Sequence, residues 1–352
     1  MKHLFVINPS AGGKNHVNDI ESKLNSLNTS AEIYVTQCNG DATRYVESFC
    51  SLNAGENLRI YACGGDGTLN EVVTGVLNGF SIRLKAMSNV ANNAQLLNEE
   101  QKRESLINNV EVGCLPCGSG NDYIKYWSDI DFHDIKTLME APSVEVDVMK
   151  VCYRQLKAAH QTETTDKMPT YQVRYAINTL NYGFEAEVCR VMDEVRRKPI
   201  IGGRMAYVTG IVKSLANGRH NPCHISIDGK PWKDGDLMLA SFANGRYEGG
   251  GFLSAPRSLN DDGLIEVTAI TPISVLRFAK MIGYYKSGEH LDRPELQDII
   301  HYCRAQNVVI ESDRQFCIGI DGELLYGYLF KVENLRHAIR FITPVALRIA
   351  GV

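Results

Sequence analysis

The chain has 352 residues, 44% of them hydrophobic and 22% charged, with a net charge of −4. That composition excludes disordered and collagen-like classes, and the missing basic excess argues against nucleic acid as a partner. The length exceeds what one small core can fill and implies two domains.

In chain order, Leu4 to Ile7 forms a short apolar strand, too short for a signal peptide. No run approaches the ~18 apolar residues needed to cross a bilayer, so a cytoplasmic protein is expected. Val17, Ile20, Leu24 and Leu27 follow at helical spacing. Ala31 to Thr36 reads as a second strand, and Asp41 can cap a helix carrying Ala42, Tyr45, Val46 and Phe49. Leu58 to Cys63 is a third strand, followed by a helix with Leu69, Val72, Val73, Val76 and Leu77 on its apolar face. After a polar stretch, 83–109, whose periodicity is too weak to assign, Val110 to Leu115 makes a further strand. This alternation implies a parallel sheet covered by helices, with any ligand at the carboxyl ends of the strands.

From Val144 the pattern changes to short alternating segments at 144–148, 171–178, 224–228, 263–269, 307–311 and 316–320. Asp228-Gly229, Asp262-Gly263 and Asp321-Gly322 supply turn signals between them. Helical stretches interrupt near 190–216 and 272–286. The expected architecture is an α/β domain over 1–143, with 345–352 as a candidate completion, and a β-rich, sandwich-like domain over 144–344. Ten cysteines are scattered without a secretory signal, which favours free thiols. Cys114-Leu115-Pro116-Cys117 has redox or metal spacing, but no second pair accompanies it, so a metal site is the lesser reading.

Three glycine-lined turns follow strands: Asn8-Pro9-Ser10-Ala11-Gly12-Gly13-Lys14, Gly64-Gly65-Asp66-Gly67-Thr68, and Leu115-Pro116-Cys117-Gly118-Ser119-Gly120-Asn121-Asp122. Each could be plain turn chemistry, or a place where the backbone and a helix N-terminus approach an anion. Asp66 would repel phosphate unless a cation lay between them, which makes it a Mg²⁺-directed group. No Gly-Lys-Ser/Thr ending follows, so the turn is not a Walker A loop.

Asn8-Pro9-Ser10, GGDGTLNE and LPCGSGND in this order resemble the diacylglycerol kinase catalytic-domain family, which includes bacterial lipid kinases and is related to sphingosine kinases. The likeness continues through NTLNYGFEAEV (178–188), GGGFLSAPRSLNDDGLIEV (249–267) and IDGE (320–323). GGDGT alone is shared with NAD kinases; the combination is far more specific.

The resemblance implies a phosphofructokinase-like (NAD kinase-like) N-terminal fold and Mg²⁺-dependent phosphoryl transfer from ATP to a lipid alcohol, diacylglycerol first, giving phosphatidic acid. By position it implies nucleotide contacts at Asn8, Ser10, Gly12, Thr36, Gly64, Gly65, Asp66, Gly67, Thr68, Leu69, Asn70 and Ser119, where many relatives have threonine. It places a second Mg²⁺ site on the carbonyls of Leu259 and Leu264 and the carboxylate of Asp262. It makes Glu323 the general base, with Asp66 near the metal as the second catalytic candidate. Without the resemblance, Asp321-Gly322-Glu323 reads as a hairpin turn.

Between 190 and 220, seven Lys/Arg face two Asp/Glu, and Met205, Val208, Ile211, Val212 and Leu215 form an apolar face. Arg196, Arg197 and Lys198 are therefore expected to touch an anionic membrane surface transiently, at the inner face; the bland alternative is a core-facing helix with a solvated basic edge. Two rivals stay open: an NAD kinase-like small-molecule kinase, and a non-catalytic nucleotide- or lipid-binding module. A homodimer also stays open.

Overall fold

The computed structural model describes residues 1–27, 29–90, 106–127, 130–155, 171–196 and 219–344. The chain forms two compact units, Met1–Asp147 with His337–Val352, and Val148–Arg336.

The first unit is built on strands β1 (Lys2–Ile7), β2 (Glu32–Val35), β3 (Leu58–Gly64) and β4 (Val110–Pro116). They lie parallel in the order β2-β1-β3-β4. Leu4 to Ile7 and Ile60 to Cys63 are fully buried, as continuous apolar runs must be when helices cover both faces of a sheet. Arg340 and Phe341, near the end of the last strand, pair in parallel with Glu111 and Val112 of β4.

Helices α1 (Val17–Ser26), α2 (Asp41–Leu52) and α3 (Asp66–Val90) make the connections. α1 buries Ile20 and Leu24, and α3 buries Leu69, Val72, Val73, Val76 and Leu77. α3 continues into the polar stretch as far as Val90; 91–105 lie outside the described residues. A short helix, α4 (Ile135–Glu140), is capped by Asp134, which accepts from the Thr137 N–H. Strand order reverses between β1 and β3, so the carboxyl ends of those two strands form the switch point where sheets of this type bind ligands.

The start of α2 departs from the expected Asp41 cap. Gly40 is the capping residue, at φ 78°, and the Asp41 carboxylate turns back to accept from the Gln37 N–H and the Tyr34 hydroxyl. The cap comes from α3, where the two Glu71 oxygens accept from the N–H groups of Gly40 and Ala42 at 2.9 and 3.0 Å. Gly75 lets the helices cross closely, since a Cβ there would stand 2.7 Å from the Thr43 carbonyl oxygen.

The second unit is antiparallel. It contains most of β5 (Ser143–Arg154), then β6 (Gln172–Ala176), β7 (Thr179–Gly183), β8 (Asn221–Ile227), β9 (Lys230–Leu237) and β10 (Leu239–Ala243). β11 (Ile265–Ile270), β12 (Ile300–Ala305), β13 (Asn307–Ile320) and the greater part of β14 (Glu323–Ile342) follow. The main path runs β12-β11-β10-β7-β13-β14, with β8 and β9 joined to β13. Asp228 and Gly229 have φ 47° and 77°, and Asp321 and Gly322 have φ 46° and 90°. Two consecutive positive φ values suit the hairpins that join β8 to β9 and β13 to β14. Asp262-Gly263 instead leads into β11 without a hairpin.

Tyr153, Tyr182, Phe242 and Phe330 fill the core of this unit. Helices α5 (Phe184–Arg196) and α6 (Val275–Ser287) make a second cluster, in which Phe184, Phe278, Met281 and Tyr285 meet Leu239 and Ile270.

One buried polar group belongs to this cluster. The Tyr285 hydroxyl lies 3.1 Å from Glu185 Oε1 and 3.2 Å from Glu248 Oε1. Burial pushes both carboxyls above the ordinary value of 4.5, and for Glu185 the neighbouring Glu248 charge adds to the effect. Such an acid keeps its proton in the folded chain after the unfolded chain has released it, so stability falls as pH rises above ~4.5 toward the folded value. The slope is about 1.4 kcal/mol per pH unit for each proton held. Glu185→Gln should therefore melt higher than wild type at pH 8, and thermal unfolding should show this advantage shrinking toward pH 4.5. An advantage independent of pH would contradict a raised Glu185 pKa.

Candidate functional site

The three glycine turns of the first unit meet at the carboxyl ends of β1, β3 and β4. The first turn is organised by Asn8: its Oδ1 accepts from the Ser10 N–H at 3.0 Å, and its Nδ2 donates to Thr68 Oγ1 at 3.2 Å. Gly12, at φ 62°, sits so close to the third turn that a Cβ would fall 2.3 Å from the Cys117 carbonyl oxygen. Only glycine fits that position. Thr36 closes β2 against β1, donating its N–H to the Ile7 carbonyl at 2.9 Å.

The second and third turns touch backbone to backbone. The Cys117 and Gly118 N–H groups donate to the Gly64 carbonyl at 2.8 and 3.2 Å. A Cβ on Gly118 would lie 2.4 Å from Gly65 Cα, and one on Gly64 would lie 2.2 Å from Thr68 Oγ1. Asn121, at φ 51°, locks the third turn by accepting from the Gly118 N–H and donating to the Gly118 carbonyl. Ser119, at the tip, is exposed.

Asp66 opens α3, and its Oδ1 accepts from the Tyr123 N–H at 3.0 Å. Burial pushes the Asp66 carboxyl up, the Tyr123 and Asp122 N–H groups oppose that, and the Asp122 charge raises it further. Asp66 Oδ2 and Asp122 Oδ2 lie 3.1 and 3.5 Å from the point a Gly120 Cβ would occupy, so two carboxylates border the same small space. Asp122 also pairs with Lys125 at 2.5 Å. Gly67, Thr68, Leu69 and Asn70 continue the first turns of α3. The Leu69 N–H donates to the Gly65 carbonyl at 3.1 Å, and the N–H groups before it have no intrahelical acceptor. Thr68, Leu69 and Asn70 are buried, which leaves the turn's backbone as its accessible part.

In the second unit, Asp321 ties the turn that carries Glu323. Its carboxylate accepts from the N–H groups of Ile177, Asn178 and Thr179 at 2.8, 3.0 and 2.8 Å. Asn178 and Asn244 extend this brace: Asn178 Nδ2 donates to the Tyr247 carbonyl, and Asn244 Nδ2 donates to the Ile177 carbonyl. Glu323 is half-buried, opposite Ile320 at the start of β14.

Asp262 is already engaged. One oxygen accepts from the Leu264 N–H at 3.0 Å, and the other pairs with Arg304, which also meets Glu266 at 2.8 Å. Of the Leu259, Asp262 and Leu264 set, the carboxylate thus has the Arg304 guanidinium beside it. Among the described residues no group of three or more His, Cys, Asp or Glu gathers as a metal site. Cys114 and Cys117 are free thiols. Arg196 ends α5; its side chain, Arg197, Lys198 and the apolar face from Met205 to Leu215 lie outside the described residues. No helix among the described residues is long and apolar enough to cross a membrane.

In the sequence Asp122 reads only as part of the third glycine turn, and Glu71 has no role. Asp122 shares a motif with Asn121, but its approach to Asp66 depends on two turns 56 positions apart in sequence coming together. Glu71 caps a helix that precedes it in the chain, so no local pattern could show it.

A diacylglycerol kinase catalytic domain model matches residues 2–151, and a YegS C-terminal NAD kinase beta sandwich-like domain model matches 178–350. Curated relatives include a protein of Yersinia enterocolitica serotype O:8 / biotype 1B named "Probable lipid kinase YegS-like", 25% identical over 351 residues, covering 99% of each chain. A protein of the same name from Stenotrophomonas maltophilia (strain K279a) is 24% identical over 348 residues, 99% of this chain and 97% of that one. A solved Bacillus anthracis str. Sterne structure shares the fold with TM-score 0.64 and 20% identity, covering 97% of this chain and 96% of that one. A second, of a diacylglycerol kinase from the same organism, gives 0.61 and 18% over the same shares. With both family models matched in order along it, the chain belongs to the lipid kinase family that joins a diacylglycerol kinase catalytic domain to a YegS C-terminal domain.

Proposed function

We propose that this chain transfers the γ-phosphoryl group of ATP to the hydroxyl of a lipid alcohol, with diacylglycerol as the first substrate and phosphatidic acid as its product. The observation that carries this reading is the meeting of three glycine turns at the β1/β3 switch point. Glycine at 12, 65 and 118 keeps side chains out of a space bordered by backbone and by the N-terminus of α3, which suits a polyphosphate.

In this reading the N–H groups opening α3 and the hydroxyl of Ser119 bind phosphate oxygens. Asn8, Ser10, Gly12 and Thr36 line the nucleotide. Asp66 and Asp122 would hold Mg²⁺, since two carboxylates plus substrate phosphates match what that ion takes from proteins. The ion neutralises charge on the β- and γ-phosphate oxygens when bound. The Leu259 and Leu264 carbonyls with the Asp262 carboxylate are a second candidate Mg²⁺ set, to which no step is assigned; Arg304 pairs with its carboxylate.

Glu323 accepts the proton of the lipid hydroxyl as the new O–P bond forms in line with departing ADP. A primary alcohol does not ionise near neutral pH, so a fixed carboxylate helps where bulk water cannot. The brace of N–H groups on Asp321 supports that role by fixing the turn two residues earlier. The lipid is met at an anionic membrane surface.

Radiolabelled ATP with a panel of dispersed lipid alcohols, beside NAD, tests the reading. Glu323→Gln should lower kcat by about 10²- to 10⁴-fold with ATP affinity kept; unchanged turnover would remove Glu323 as the base, and label in NAD alone would replace the lipid reading. Gly12→Ala, which forces a Cβ onto the Cys117 carbonyl at positive φ, should weaken nucleotide binding by about 10-fold or more in an equilibrium titration. Unaltered affinity would show that the first turn does not touch the nucleotide.

A further inference from the structure

Helix α6 carries a face that the fold does not use. Its inner side, Phe278, Met281 and Tyr285, is buried in the second unit's helical cluster. Its outer side, Leu276, Ala279, Lys280, Gly283 and Lys286, recurs at helical spacing and is exposed. Leu276 is 79% exposed and Val275 before it 47%. A single exposed leucine needs no explanation. Here the two apolar residues stand at one end of a stripe that also bears lysines.

The charge on this helix has one sign. Its thirteen residues, VLRFAKMIGYYKS, include Arg277, Lys280 and Lys286 and no Asp or Glu, on a chain whose net charge is −4. Arg277 is committed, donating to Asp298 at 2.5 Å and to the Glu295 carbonyl at 3.1 Å. Lys280 and Lys286 make no ion pair among the described residues; the Lys286 ammonium lies 5.9 Å from the Phe252 ring centre. Beside Leu276 opens a groove of about 620 Å³ lined by Arg277, Lys280, Tyr284, Glu295 and Leu296, with Glu295 its one carboxylate.

From these observations we infer that the outer face of α6 docks the chain onto an anionic lipid bilayer. Leu276 and Val275 enter the acyl boundary, and Lys280 and Lys286 meet headgroup phosphates. Small residues at 279 and 283 let the helix lie close to the surface. Exposed cations outside any ion pair, beside protruding apolar side chains, are what an interfacial helix presents to anionic lipid. The inference deepens the lipid kinase reading, and its test is separable from that reading.

The experiment is co-sedimentation of the full chain with vesicles of phosphatidylglycerol mixed equally with phosphatidylcholine, and with phosphatidylcholine alone. Wild type should bind the anionic vesicles and lose binding as salt rises. Lys280→Gln with Lys286→Gln should weaken binding about 25-fold, and Leu276→Ser about 10-fold. All three positions are exposed, so unfolding temperatures should match wild type. Phosphorylation of lipid dispersed in detergent micelles should also match wild type, because no bilayer need be approached. Equal pelleting of variants and wild type, or equal binding to both vesicle types, would overturn the inference. Failure of wild type to bind anionic vesicles would also overturn it and favour an acidic protein partner. Loss of vesicle binding in the variants, with no lipid phosphorylated by any form, would uphold the docking face while the kinase reading falls.

Discussion

The chemistry available to the first unit depends on one close approach, the backbone of Gly65 against that of Gly118, with Gly12 pressed under the Cys117 carbonyl. Three strands end at the same level of a parallel sheet, and turns leaving such strands can share a space only if none carries a side chain inward. Any Cβ at 12 or 118 would fall inside the radius of a backbone atom. The glycines are therefore a packing requirement of the fold before they are a binding device. The binding proposed for them follows from the packing, because a surface without side chains exposes N–H groups and the positive end of α3.

Asp66 illustrates how the same residues serve structure and chemistry. Its carboxylate fixes the third turn through the Tyr123 N–H, yet it stands beside Asp122 with burial disfavouring its charge. An acidic pair next to a helix N-terminus is an arrangement that a divalent cation relieves. Across the second unit the design differs. Asp321 has three backbone N–H partners and is spent on shape, while Glu323, two residues on, stands half-buried at the start of β14. Arg304 pairs with both Asp262 and the buried Glu266, a shared counterion for the two carboxylates.

Local chemistry made much of this legible in the sequence. The glycine turns, the paired positive-φ hairpins at Asp228-Gly229 and Asp321-Gly322, and the apolar faces of α1 and α3 follow from short-range rules that the structure obeys. What escaped was long-range or aperiodic. β10, Leu-Ala-Ser-Phe-Ala, is buried throughout and shows no alternation. β14 runs for 20 residues, but apolar neighbours such as Leu324-Leu325 and Leu329-Phe330, with a positive φ at His337, disguise its period. The same strand returns the chain to the first unit beside β4, a pairing no window of sequence contains. Glu71 and Asp122 escaped for the matching reason: each acts on a segment far away in the chain.

Hydrogen exchange of the backbone amides, with and without ATP·Mg²⁺, bears most directly on the proposed phosphate cradle. Amides of residues 8–13, 64–69 and 117–121 should slow together when nucleotide binds, since one triphosphate would engage all three turns. Slowing confined to a single turn, or absent from all of them while nucleotide is bound, would contradict it.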